Sequence, residues 1–185
     1  MLAPFTRLLL LAFCTLAPAL ASWAQDFPLD PATGKIYYAE EVLVMDGPKT
    51  DLFHRARTWL LAAKPSQKAL QVADAPNGVL IARTYSLLPG LDGDSRRPCK
   101  LWHTIKIEVE NDRYWYSLSD FKVQWAPDAT SARNSPDRSY PLEDFVLPQA
   151  SSAKRTYKKP ADKLLTVKAR DRIATLIADL KASML

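Results

Sequence analysis

The sequence predicts an α+β fold, a two-layer sandwich in which two helices cover one face of an antiparallel five-stranded sheet. Three observations lead there. Residues 101–110 and 113–125 alternate apolar and polar side chains around Asn111-Asp112, the pattern of a tight hairpin. Residues 50–63 and 161–183 instead space their apolar side chains at helical intervals. The strands are joined by short hairpin links, which suit antiparallel pairing, and two amphipathic helices must bury their apolar stripes on one sheet face. The predicted order is β-α-β-β-β-β-α.

Each element has its own signal. Residues 25–34 form a polar lead with a turn at Asp30-Pro31-Ala32-Thr33-Gly34. Residues 35–45, rich in Ile, Tyr and Val, read as a strand that Asp46-Gly47-Pro48 breaks. Thr50 is placed to cap a helix, with Asp51 at its positive end. Leu52, Ala56, Trp59, Leu60 and Ala63 share one face of it, and Lys64-Pro65 ends it. Strands at 69–73 and 78–87 flank a turn at Pro76-Asn77-Gly78. A polar loop at 89–98 holds Gly90, Gly93 and Arg96-Arg97, and the long hairpin follows. Residues 126–160 are rich in Pro, Ser and Ala and read as an extended or mobile stretch, interrupted by an apolar patch at 140–147. In the last helix Ala169, Ile173, Leu176, Ile177, Leu180 and Met184 share a face.

The N-terminus sets the expected compartment. Arg7, the apolar run Leu8 to Ala17 and the small-residue exit Ala21-Ser22-Trp23-Ala24 have the layout of a secretory signal peptide. Cleavage is expected after Ala24, leaving residues 25–185 as a single periplasmic or secreted domain. An uncleaved anchor is the rival reading, although the run falls short of the ~20 apolar residues a spanning helix needs. Lipidation at Cys14 is disfavoured by the bulky Phe13 before it. No later stretch approaches transmembrane length. Cleavage removes Arg7 and no acid, so the mature chain carries 24 basic against 20 acidic side chains, a net charge of +4. That mild balance permits weak attraction to anionic envelope surfaces but does not argue for nucleic acid as a partner, and export argues against it, so none is expected. Cys99 is then the lone cysteine, either buried and inert or bridging two chains. The chain's two histidines are His54 and His103. No nucleotide, flavin or metal motif occurs, so no cofactor is expected.

The chain also resembles a bacterial secreted domain-of-unknown-function family described as having a TBP-like fold. Four stretches carry the resemblance: Gly34-Lys35-Ile36-Tyr37-Tyr38 leading to Val42, Asp51 to Leu60, Ile105 to Tyr116 running on to Ser119-Asp120-Phe121, and Tyr140-Pro141-Leu142-Glu143 with the closing Leu176 to Lys181. The resemblance implies a TBP-like arrangement of strands and helices. It implies no activity, and nothing about DNA, because fold and function separate readily.

A two-residue loop at Asn111-Asp112 would set Glu110 opposite Arg113 and Val109 opposite Tyr114. Continued outward, one face collects Val109, Tyr114, Ile107, Tyr116, Ile105 and Leu118, then pairs His103 with Asp120. The other face collects Trp115, pairs Trp102 with Phe121, and extends to Val123 and Trp125. The first is the better core, with His103 and Asp120 a candidate polar pair at its margin. That pair reads either as a proton-transfer dyad or as two polar groups satisfying each other. Trp102, Trp115, Phe121 and Trp125 form a candidate interaction surface. The alternative is that residues 140–147 fold over that aromatic patch. Arg96-Arg97, Lys154-Arg155 and Lys158-Lys159 read as solvated basic clusters.

The expected function is a non-catalytic binding or assembly module of the bacterial envelope, engaging an envelope protein or an amphiphilic ligand. The alternative is a carrier of a small apolar or amphiphilic ligand, held between sheet and helix by Tyr38, Tyr114 and Tyr116. A hydrolase using His103 and Asp120 is the remote third reading. A cysteine enzyme built on Cys99 lacks an oxyanion-hole pattern.

Overall fold

The computed structural model describes residues 27–62, 69–88, 99–125, 139–146 and 159–185. The expected signal peptide, the loop at 89–98 and most of the 126–160 stretch lie outside them.

The long hairpin organises the sheet. Its strands, β4 (Cys99–Glu110) and β5 (Arg113–Trp125), meet around the two-residue turn with Glu110 opposite Arg113, in the register that the alternation predicts as far as Thr104 and Ser119. β1 (Tyr38–Leu43) pairs with the near half of β5, and β3 (Val79–Leu88) with β4. β2 (Leu70–Asp74) closes the far edge, giving the antiparallel order β1-β5-β4-β3-β2. A sixth strand, β6 (Ser139–Pro141), pairs with the far half of β5. The expected sheet of five strands is thus six-stranded.

The helices lie on one face, as expected. α1 (Lys49–Ala62) buries Leu52, Ala56 and Leu60. The long α3 (Lys159–Met184) buries Leu165, Ala169, Ile173, Leu176, Leu180 and Met184 at helical spacing. These side chains join Leu80, Ala82, Leu101, Ile105, Ile107, Val109, Tyr114 and Leu118 in one core. The short α2 (Glu143–Val146) follows Leu142, which is fully buried. Phe145 and Val146 pack against the same core. The apolar patch at 140–146 therefore joins the helical layer and does not fold over the opposite face.

Two turns carry specific constraints. The left-handed φ of Gly78, +75°, accompanies a close approach in which an added Cβ would lie 2.4 Å from the Val109 carbonyl oxygen. The start of α1 is held from a distance. The Lys49 amide donates to Asn111 Oδ1 at 2.9 Å, and the Gly47 amide to Asp112 Oδ1 at 3.0 Å. The hairpin turn thus does the capping that the sequence assigned to Thr50.

Candidate functional site

The register predicted for the hairpin breaks at one residue. Thr104 pairs with Ser119, but Trp102 pairs with Lys122, so Asp120 and Phe121 together oppose His103. Asp120 is the extra residue and has a left-handed φ of 54°. This is a β-bulge, and it reverses the facing of every later side chain of β5. Asp is one of the few non-glycine residues that tolerate this conformation.

The bulge corrects both candidate sets. Phe121 and Val123 turn into the core, Phe121 being 1% exposed, and Trp125 packs against that core. Trp102 and Trp115 stay on the helix-free face. The four aromatics therefore split two and two, and the surface expected of them as a group is not assembled. His103 and Asp120 also separate. His103, 1% exposed, stacks near Phe121 with ring centroids 6.1 Å apart, and its Nδ1 lies 3.1 Å from the Leu101 carbonyl oxygen. Asp120 pairs instead with Arg83, and with Lys122 at 3.5 Å. Burial alone would raise the Asp120 carboxyl. The hydrogen bond from Arg83 and the charges of Arg83 and Lys122 outweigh it and hold the group below its ordinary value.

A different cluster occupies the helix-free face. Tyr85 pairs with Trp102 across β3 and β4, their ring centroids 4.9 Å apart. The Lys100 ammonium lies 4.9 Å from the Tyr85 ring centre. Trp102 Nε1 donates to Gln124 Oε1 at 2.6 Å. Beside Trp102, a small hollow of about 180 Å³ is lined by Arg83, Trp102, Gln124 and Ser139. Among the described residues, Asp120 is the acid that Arg83 and Lys122 pair with here. Trp115 stands apart, with the Arg113 guanidinium 5.8 Å from its ring. Tyr85 and Arg83 were missed in the sequence. The alternation of 79–88 puts them on the face opposite Leu80, Ala82 and Thr84, and that was the available signal.

Cys99 is buried, and burial pushes its thiol up to about 12 against a smaller opposing effect from the Gln124 backbone. Among the described residues no group of three or more His, Cys, Asp or Glu side chains is placed to hold a metal ion. No helix among them is long and apolar enough to cross a membrane.

A cleft of about 490 Å³ opens between the β1 edge and α3. Tyr38 and Tyr116, two of the tyrosines expected to line a ligand cavity, are on its wall with Tyr37 and Glu40. Tyr114, the third, is buried in the core and does not line it. Glu40 accepts from Tyr116 Oη at 2.7 Å and from Lys181 Nζ at 2.6 Å. The Lys181 bond first, then the Tyr116 bond, hold the Glu40 carboxyl below its ordinary value. Burial pushes the Tyr38 phenol up to about 12, with the Arg170 charge opposing it. Tyr116 is also raised, by burial and by its bond to Glu40.

Comparison with known proteins agrees with this architecture. Residues 38–124 match the model of a family described as a domain of unknown function (DUF4468) with TBP-like fold. The family resemblance drawn from the sequence holds over those residues. A TBP-like protein from Parabacteroides distasonis ATCC 8503 superposes with a TM-score of 0.65 at 19% identity, covering 86% of this chain and 97% of its own. A DUF4468 family protein from Bacteroides ovatus ATCC 8483 gives 0.63 at 11% identity, covering 87% of this chain and 91% of its own. Both likenesses speak to the fold alone. No protein of curated function matches.

Proposed function

We propose, starting from the match of residues 38–124 to a domain of unknown function with TBP-like fold, that this chain is a non-catalytic binding module of the bacterial envelope. Its helix-free sheet face would engage an acidic segment of a partner protein. The observation that supports this reading is the cluster of Tyr85 and Trp102 with Arg83, Lys100 and Lys122 on a face that no described helix covers. Both rings are half-buried, and partly exposed aromatic side chains with cationic neighbours suit contact with acidic polypeptide, since rings supply apolar area and the cations supply steering.

The non-catalytic part is supported by where the reactive side chains sit. His103 is in the core, Asp120 is held by two cations, and the Cys99 thiol is buried with its pKa raised. Envelope location is supported by the signal-peptide layout of residues 1–24.

The test is capture from native envelope extract with the chain from Gln25 onward, compared with the double variant Tyr85→Ser, Trp102→Ser. The proposal expects one reproducible protein partner that the double variant loses while its circular dichroism stays unchanged. Equal recovery by both proteins would exclude this face.

A further inference from the structure

We infer that the cleft between β1 and α3 binds a small uncharged molecule with a flat aromatic body. This site is separate from the sheet face proposed above, and neither reading depends on the other.

The cleft is built by residue size. On α3, Ala174 and Ala178 lie about one turn apart, on the strip of helix surface that lines the cleft. The two alanines leave open the space that larger side chains would fill between helix and sheet edge. Ile177 adds to the helix wall, and Tyr37, Tyr38 and Tyr116 make the sheet wall. A flat ring system laid between them gains apolar contact on both its faces, and contact of ring with tyrosine ring adds to that. Burial raises the Tyr38 phenol more than the Arg170 charge lowers it, which marks this wall as poorly hydrated. A hollow of about 490 Å³ falls within the range of small-molecule sites, roughly 300–1,000 Å³.

The charges select against an ionic ligand. The charged side chains that line the cleft are Glu40, Arg170 and Lys181, and each already has a partner of opposite sign. Lys181 Nζ donates to Glu40 Oε1 at 2.6 Å, and Tyr116 Oη donates to Glu40 Oε2 at 2.7 Å. Arg170 Nε lies 3.5 Å from Asp171 Oδ1. An anionic ligand would have to compete with Asp171 or Glu40 for the cations. A cationic one would have to compete with Lys181 for Glu40. Either exchanges one ion pair for another, and also gives up its own hydration against the tyrosine rings. An uncharged ligand disturbs no pair and has little hydration to lose, so the rings and the alanines decide what binds.

The experiment is fluorescence titration of the chain from Gln25 onward with N-phenyl-1-naphthylamine, which is uncharged, and with anilinonaphthalenesulfonate, the same rings bearing a negative charge. The uncharged probe should bind, with affinity at least about tenfold above that of the sulfonate. The uncharged but ringless 1-decanol should displace it only when in large excess. Ala178→Phe places a ring in the cleft from an exposed helix position and should abolish binding of the uncharged probe without loss of helical circular dichroism. Arg170→Gln should leave that binding unchanged. The Tyr85→Ser, Trp102→Ser variant should bind the probe like the parent, which keeps this test distinct from that of the sheet face. No binding of the uncharged probe, equal or tighter binding of the sulfonate, ready displacement by 1-decanol, loss of binding in Arg170→Gln or undiminished binding by Ala178→Phe would each overturn the inference. If Ala178→Phe fails to fold, Ala174→Leu serves the same purpose at the neighbouring exposed position.

Discussion

His103 on β4 and Asp120 on β5 are neighbours across the hairpin, yet they face opposite sides of the sheet. One extra residue, Asp120 with its left-handed φ, causes this. It sends the histidine into the core with Phe121 and the carboxylate out to Arg83 and Lys122. What would have been a dyad becomes a buried ring on one face and an ion cluster on the other.

The facing of Phe121 and Trp102 should be visible in stability. Phe121→Ala removes a ring that is 1% exposed and is expected to cost about 3–5 kcal/mol, the range for deleting a buried aromatic. Trp102→Ala removes a ring from the helix-free face and is expected to cost about 1 kcal/mol or less. Urea unfolding of the two variants checks this. The reverse ranking would mean that the bulge is misplaced.

Gly78 should tolerate no side chain. Its φ of +75° disfavours one, and a Cβ would lie 2.4 Å from the Val109 carbonyl oxygen. Gly78→Ala is expected to destabilise by roughly 1–3 kcal/mol, since both the strain and the clash must be relieved by moving backbone. A shift of less than about 0.5 kcal/mol in chemical denaturation would contradict the close approach.

Cys99 should be inert in the folded protein. It is buried, with its thiol pushed up to about 12, so little thiolate exists at about pH 8. Iodoacetamide is expected to label it only after denaturation, and non-reducing electrophoresis to show no linked dimer. Rapid labelling of native protein would place the thiol at the surface.

Glu40 should make stability pH-dependent. Its folded pKa lies below the ordinary 4.5, so its contribution is present above the unfolded value and fades as pH falls through the folded one. The difference in unfolding midpoint between the parent and Glu40→Gln is therefore expected to be greatest near pH 7 and to shrink toward about pH 3. A difference that stayed constant across that range would show that the Lys181 and Tyr116 bonds to Glu40 carry no charge-dependent stability.

Much of the fold was legible because its period is regular. Arg113 through Ser119 alternate without interruption, so counting out from Asn111-Asp112 gave correct pairs up to Thr104 and Ser119. The α3 face read correctly because Ala169, Ile173, Leu176, Leu180 and Met184 keep helical spacing. The bulge was not legible. Ser119-Asp120-Phe121 has no glycine to mark it, and Asp120 serves equally as an outward residue of an unbroken strand. The error then propagated to Phe121, Val123 and Trp125, because one inserted residue inverts all that follow. The cap on α1 escaped for another reason. Asn111 lies 62 residues from Lys49, and no local pattern reports a partner that distant. The cleft was half visible. Tyr38 and Tyr116 stand out, but Arg170, Ala174 and Ala178 look like an ordinary solvated helix face until α3 is laid against β1.

The most direct test of the binding-module account is oxidative footprinting of tryptophan, read by mass spectrometry on the isolated chain from Gln25 onward and on its captured complex. The account predicts that Trp102 is oxidised readily in the isolated protein and is protected in the complex, with Trp125 changing little between the two. A Trp102 equally oxidised in both states would contradict it, because the helix-free face would then be open while the partner is bound.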